Sequence, residues 1–290
     1  MRPEIAAAAA EIRGDRARGA RQLALVALQA LASAAGVCTR EELQEAARAL
    51  ALARPTMAVI ENALALAWHR YLETGDARRA VRQAIEAVET AADGLAAAAR
   101  GVLPTGTLMT YSYSSTVIEV LGRVKPRRVI VSEGRPLNEG IETARALVAA
   151  GISMTLITEA QMALFVQEAD ALVVGADTIL PDGGFVNKVG TRLLALAARD
   201  ARVPLYVVSE TLKVAAASAP KRFAAEEGRA REVCGEKWLE VRNVYFEVTP
   251  ARLVTAYVTE EGVLKPRDVR PYGRQAERRW RALMGPAHAI

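Results

Sequence analysis

The groups in this chain that could do chemistry gather at four strand ends and in one segment between them. Each end follows a short run rich in valine, isoleucine, threonine or tyrosine. The first is Thr110-Tyr111-Ser112-Tyr113-Ser114-Ser115-Thr116, a string of hydroxyls leading into a helical pattern. Amides and hydroxyls at such a junction suit an anion. Ser114 or Ser115 equally suits plain capping of the helix. The second end, Glu133-Gly134-Arg135-Pro136, sets a carboxylate beside a planar cation, for a substrate contact or a local ion pair. The third, Val174-Gly175-Ala176-Asp177, puts a carboxylate where it could exchange a proton with a hydroxyl. A turn or cap role for Asp177 is the other reading.

Ten residues on, Asn187-Lys188-Val189-Gly190-Thr191 offers an amide, an ammonium and a flexible glycine at the threshold of a helix. Glycine allows close backbone approach, the helix start supplies oriented amides, and lysine adds a mobile charge. An ordinary helix start without a ligand is the alternative. The fourth end is Ser209-Glu210-Thr211-Leu212-Lys213, again polar residues with a cation directly behind a strand.

The elements that must position these groups follow from the runs TLMTYS, RRVIVS, SMTLIT, ALVVG, PLYVVS, VYFEV and LVTAYV, which predict buried strands. Several are separated by helical patterns, at Glu139 to Ala150, Ala160 to Glu168 and Thr191 to Asp200. That alternation predicts right-handed β-α-β units and an open α/β sheet. Ligands of such sheets bind outside the carboxyl ends of the strands. Ser112, Glu133, Arg135, Asp177, Asn187, Lys188, Glu210 and Lys213 are therefore expected at one sheet edge, a set suited to a phosphorylated polyol.

The first hundred residues read differently, rich in alanine and leucine at helical spacing, and the shift falls near Gly101 to Thr107. Thr39 with Glu42 is a capping box that opens a helix running towards Arg54-Pro55. A second helix follows Pro55 with the stripe Ile60, Leu64, Trp68 and Leu72, and another follows Asp76 with Val81, Ile85, Val88 and Leu95. Four helices are expected here. The division is a helical domain over residues 1–104 and a ligand-binding α/β domain over 105–290.

The chain has 290 residues, 51% hydrophobic and 24% charged, which fits a compact globular protein and excludes disordered and fibrous classes. Cys38 and Cys234 lack metal-ligand spacing and read as reduced thiols, and no apolar run of eighteen residues appears. A cytoplasmic protein with no membrane contact is expected. The net charge of +5 is partly concentrated in Arg270, Arg274, Arg278, Arg279 and Arg281. Aromatic interleaving is sparse there, so these arginines read as a solvated helix face or a subunit contact and not as a nucleic-acid site. No G-x-G-x-x-G follows the first strand, which argues against a dinucleotide-dependent oxidoreductase. Only His69 and His288 are present, no ligand cluster surrounds either, and neither metal nor cofactor is expected.

Across most of its length the chain resembles the superfamily that unites the alpha, beta and delta subunits of eukaryotic initiation factor 2B with methylthioribose-1-phosphate and ribose-1,5-bisphosphate isomerases. The residues that carry the resemblance are IRGDRARGARQLA around Asp15 and Gly19, RPTMAVIENAL from Arg54, then TYSYSS, EGRPLNEG, GADTI, NKVGT, and NVYFEVTPARLVTAYVTEEG from Asn243 to Gly262.

The resemblance implies a helical amino-terminal domain followed by a Rossmann-like domain with a mainly parallel sheet, and a homodimer or an assembly of dimers. It also implies a ligand cleft between the domains, so that Arg18, Gly19 and Arg54 become ligand contacts from the helical side. The superfamily's isomerases use an aspartate in the G-A-D segment and a cysteine in the T-x-C segment. The aspartate is Asp177 here, and the cysteine position holds Ser112. Two functions follow as expectations. One is an aldose-ketose isomerase of ribose 1-phosphate or 1,5-bisphosphate type, with Asp177 handling protons and Ser112 in the second catalytic position. The other is a non-catalytic regulatory subunit that senses a nucleotide or sugar phosphate and contacts a translation factor.

Overall fold

The computed structural model describes residues 2–15, 18–218 and 227–285. Five helices come first: α1 (Pro3–Gly14), α2 (Ala20–Ala34), α3 (Arg40–Ala51), α4 (Ala58–Thr74) and α5 (Ala77–Arg100). This is one more than the spacing predicts, because the alanine tract is interrupted at Asp15, whose backbone is extended, and a fresh helix starts behind Gly19. The capping box at Thr39 forms as expected: the Glu42 amide donates to its hydroxyl at 3.2 Å, and Glu42 accepts from the Thr39 amide at 2.9 Å. Asp76 caps α5 by accepting from the Arg79 amide at 2.9 Å. The helix opened by Thr39 stops at Ala51, short of Pro55, and α4 begins three residues after that proline.

The remaining elements are β1 (Thr107–Thr110), α6 (Ser115–Val124), β2 (Arg128–Ser132), α7 (Glu139–Ala149), β3 (Ser153–Ile157), α8 (Met162–Phe165) and β4 (Ala171–Val174). They continue through β5 (Thr178–Ile179), β6 (Phe185–Lys188), α9 (Thr191–Asp200), β7 (Leu205–Val208), α10 (Ala230–Val233), β8 (Phe246–Thr249), β9 (Ala256–Thr259), β10 (Gly262–Leu264) and α11 (Arg270–Met284). The helical stretch expected from Ala160 to Glu168 is one turn of α-helix between two 3-10 turns.

Seven strands form one sheet in the order β10-β9-β7-β4-β1-β2-β3, parallel except for the terminal β9-β10 hairpin. From β1 the chain winds outward through β2 to β3, then crosses back to place β4 on the other side of β1. The carboxyl ends of β1 and β4 therefore diverge at the topological switch, where open α/β sheets form their ligand crevice.

Residues alternate across the strands, so Leu108, Val129, Val173 and Val208 pack beneath α5 and α6, while Met109, Ile130, Leu172 and Val207 pack against α9. The long α5 joins this sheet to the helical layer. Its first half, with Val81, Ala84 and Val88, belongs to the helical core, and its second half, with Leu95, Ala96 and Ala99, covers the sheet. At the other end of the chain α11 returns to the helical layer. Ala276, Trp280, Leu283 and Met284 enter that core, and the Trp68 indole donates to the Ala282 oxygen at 2.9 Å. The opposite face of α11 leaves Arg270, Arg274, Arg278 and Arg281 exposed.

VYFEV is a strand outside the main sheet. As β8 it joins β5 and β6 in a separate three-stranded antiparallel sheet, which takes Asn187 and Lys188 with it. No described helix is long and apolar enough to cross a membrane. His288 lies outside the described residues.

Candidate functional site

The segments that immediately follow β1 and β4 stand at the topological switch. Ser112 sits just behind β1, buried, with its backbone in the left-handed region at φ 61. A residue with a β-carbon rarely adopts that conformation, and here α7 holds it. The Thr143 hydroxyl donates to the Ser112 main-chain oxygen at 2.8 Å. The Ser112 hydroxyl donates to Glu139 Oε2 at 3.3 Å, and Lys188 Nζ donates to Glu139 Oε1 at 2.9 Å. Lys188 also lies 4.8 Å from the centre of the Tyr245 ring, within reach of a cation-π attraction.

Ser114 caps α6, accepting from the Val117 amide at 3.3 Å. It also packs against Gly175 so closely that a β-carbon there would lie 2.6 Å from the Ser114 hydroxyl. The absent side chain of Gly175 thus lets the β1 and β4 loops meet. Asp177 immediately precedes β5 and donates its amide to the Val186 oxygen at 3.0 Å, which ties it to the neighbour of Asn187 on β6. Asn187 donates to the Thr191 hydroxyl at 3.1 Å, which in turn donates to the Lys188 oxygen at 2.6 Å.

A second polar group lies behind β7. Glu210 accepts from the Thr116 hydroxyl at 3.2 Å and pairs with Lys213 at 3.2 Å, both side chains almost fully buried. Burial alone would push the Glu210 carboxyl upward, but the Lys213 ammonium and hydrogen bonds outweigh it and hold the carboxyl below its ordinary range. Burial also raises the Tyr111 hydroxyl, aided by the nearby carboxylates Glu159, Glu139 and Glu247, so this tyrosine serves as a donor, to the Val189 oxygen at 2.7 Å.

The helical layer is pinned over this edge. The Thr178 hydroxyl, next to Asp177, donates to the Thr56 oxygen at 3.1 Å and accepts from the Ala58 amide at 3.2 Å. Asn62 donates to the oxygens of Leu212 and Val214, and Arg21 pairs with Glu119 at 2.9 Å. Gly19 faces Ser115, with 3.1 Å between a hypothetical β-carbon and the serine hydroxyl. Arg54 is buried and donates to the Asp15 oxygen at 2.7 Å, while Arg18 pairs with Asp15 at 2.8 Å and Glu11 at 2.6 Å.

This combination of a helical layer with a doubly wound sheet, and of these segments at its edge, coincides with a known profile. The Initiation factor 2 subunit family matches residues 12–266. The chain belongs to that family. Among its relatives, a ribose 1,5-bisphosphate isomerase of Archaeoglobus fulgidus is 35% identical over 286 residues, covering 91% of this chain and 90% of its own. A putative translation initiation factor eIF-2B subunit 2-like protein of Pyrococcus abyssi is 33% identical over 273 residues, 89% of this chain and 96% of its own. The crystal structure of a translation initiation factor eIF-2B from Pyrococcus horikoshii superposes with a TM-score of 0.78 at 30% identity, covering 92% of this chain and 98% of that one.

In this member of the initiation factor 2 subunit family, the expected edge residues divide into three groups. Ser112 and Lys188 meet through Glu139, Asp177 bonds through its amide to Val186 beside Asn187, and Glu210 joins Lys213. Glu133 is half-buried and its main chain bridges β3 and α7, accepting from the Gly140 amide at 2.9 Å. Arg135 is exposed and donates to the Val233 oxygen at 3.1 Å, with no ion pair to Glu133 among the described residues. Sequence reasoning missed Glu139, and named Thr116 only within a run of hydroxyls, without its bond to Glu210. Glu139 stands inside EGRPLNEG, but a glutamate opening a helix is an ordinary dipole-favoured choice, and only the fold brings it to Ser112.

Proposed function

We propose that the protein is an aldose-ketose isomerase acting on a ribose 1,5-bisphosphate or ribose 1-phosphate type of substrate. The observation that carries this reading is the meeting of Ser112, just behind β1, with Lys188 through Glu139 at the β1-β4 switch. The similarity to a ribose 1,5-bisphosphate isomerase over nine tenths of both chains supports it. Asp177 handles the proton at the reacting carbons. Asn187 and Lys188 hold substrate oxygens, and Ser112 occupies the second catalytic position.

The ammonium and guanidinium groups of Lys188, Lys213, Arg18 and Arg54, with the amides around Gly19, Ser114 and Ser115, provide the positive ends that phosphate oxygens require. Glu133, Arg135 and Glu210 complete the rim. On this reading residues 1–104 form the helical side of the cleft and 105–290 the ligand-binding side, and the working unit is a homodimer or an assembly of dimers. The test is Asp177→Asn. Turnover should fall by about 10²-fold or more while ligand affinity stays within a few fold. Unchanged turnover would remove Asp177 from the chemistry.

A second reading is a non-catalytic regulator, favoured by the hydroxyl of Ser112 at the cysteine position and by the likeness to eIF-2B proteins. It predicts sugar-phosphate or nucleotide binding without turnover, and retention of a translation factor in native purification.

A further inference from the structure

Converting a cyclic aldose 1-phosphate into its ketose removes two hydrogens from position 2, one from carbon and one from oxygen. It delivers one to C1 and one to the ring oxygen. The C2–H pair becomes the C1–C2 double bond of an enol as the C1–O ring bond breaks, and that oxygen leaves with its electron pair and needs a proton. The enol then closes to the carbonyl as the 2-hydroxyl gives up its proton and C1 takes one. A single carboxylate, Asp177, can carry the carbon proton from C2 to C1. The oxygen-bound proton needs a second carrier, and an isolated serine hydroxyl is a poor one.

Ser112 is not isolated. Its hydroxyl lies 3.3 Å from Glu139 Oε2, Lys188 Nζ lies 2.9 Å from both oxygens of that carboxylate, and the Thr143 hydroxyl fixes the Ser112 backbone at 2.8 Å. Hydrogen bonds of this kind commonly tighten once substrate is bound. Ser112 and Lys188 are more than nine tenths buried, and the Glu139 side chain that joins them is 26% exposed.

The geometry points to Glu139 as the positioning residue of a Ser112-Glu139-Lys188 relay, an inference that rests on the isomerase reading. Lys188 passes a proton to Glu139 Oε2, the oxygen it shares with Ser112, and Ser112 takes that proton as it gives its own to the departing ring oxygen, leaving Glu139 a carboxylate and Lys188 neutral. The flow reverses when the 2-hydroxyl is deprotonated. The relay ends the cycle as it began, and no oxidant, reductant or metal enters the balance.

The test is steady-state turnover of ribose-1,5-bisphosphate by the full chain and by Glu139→Gln, Ser112→Ala, their double variant, and Ser112→Cys combined with Glu139→Gln. Each single variant should lower kcat about 10²-fold with KM within threefold. The double variant should be no slower than the worse single one, because the residues act as a unit. The thiol in the Glu139→Gln background should restore part of the rate, with a pH profile that rises through the range of thiol ionisation. Ser112→Ala leaves the Glu139-Lys188 pair in place, so it decides the matter even if Glu139→Gln fails to fold. A parent with turnover whose Glu139→Gln or Ser112→Ala form keeps kcat within twofold, or whose two losses multiply, overturns the relay alone. A parent without turnover overturns the isomerase reading and the relay together.

Discussion

Asn62, on the helical layer, donates its side-chain amide to the Val214 oxygen at 2.8 Å, and the same nitrogen reaches the Leu212 oxygen at 2.6 Å. One buried side chain thereby ties α4 to the turn that holds Lys213 against Glu210. Asn62→Leu leaves two carbonyls without that donor. It should cost about 1–3 kcal/mol in chemical denaturation and should weaken sugar-phosphate binding by freeing the Lys213 turn. An unchanged denaturation midpoint would show that the helical layer is held by apolar packing alone.

The Glu210-Lys213 pair itself predicts an asymmetry. Removing one partner strands a buried charge, so Lys213→Met should destabilise the fold by about 3–5 kcal/mol. The double change Lys213→Met with Glu210→Gln should recover much of that loss, since no charge then remains. Equal losses in the single and double variants, measured in urea, would contradict a coupled pair.

Glu61 is 3% exposed, and among the described residues its Oε1 has no hydrogen-bond partner. Burial pushes this carboxyl up to about 8. The folded chain therefore keeps the proton in a pH range where the unfolded chain has already released it. Stability is fullest below the ordinary carboxyl range, falls as pH rises towards 8, and levels off above it. Glu61→Gln cannot ionise, so its melting temperature should exceed the parent's by roughly 5 °C or more at pH 9. The gap should close at pH 4. A gap that is constant with pH would mean that Glu61 stays ionised in the folded protein.

Gly140 marks the tightest backbone approach near the site, since a β-carbon there would lie 1.7 Å from the Ser132 oxygen. Gly140→Ala must separate β2 from α7, the helix that presents Glu139. The expected outcome is a loss of more than about 3 kcal/mol or failure to fold. A variant as stable as the parent would show that α7 can shift freely.

The parts of this fold that local sequence specifies were legible. Thr39 with Glu42 and Asp76 marked helix starts by cap chemistry alone, and the β-branched runs marked six of the seven strands of the main sheet. The edge rule for parallel sheets put eight residues at one edge, and of these Ser112, Glu133, Asp177 and Glu210 do follow β1, β2, β4 and β7. Tertiary features were not legible. Thr178–Ile179 is too short for a period-two signal, so the second sheet and the strand position of Asn187 and Lys188 were hidden. The break between α1 and α2 falls in an alanine-rich stretch with no proline to announce it. Glu61 sits in a helix buried on nearly all sides, and no sequence period distinguishes its lost hydration from that of its apolar neighbours.

Whether the strand-end site around Asp177 and Ser112 performs chemistry is tested most directly by an NMR time course with ribose-1,5-bisphosphate. The predicted result is the growth of ketose signals with the parent chain and their loss with Asp177→Asn. Ligand signals broadened by binding, with no ketose formed by the parent, would contradict it and leave a sensor built on the same fold.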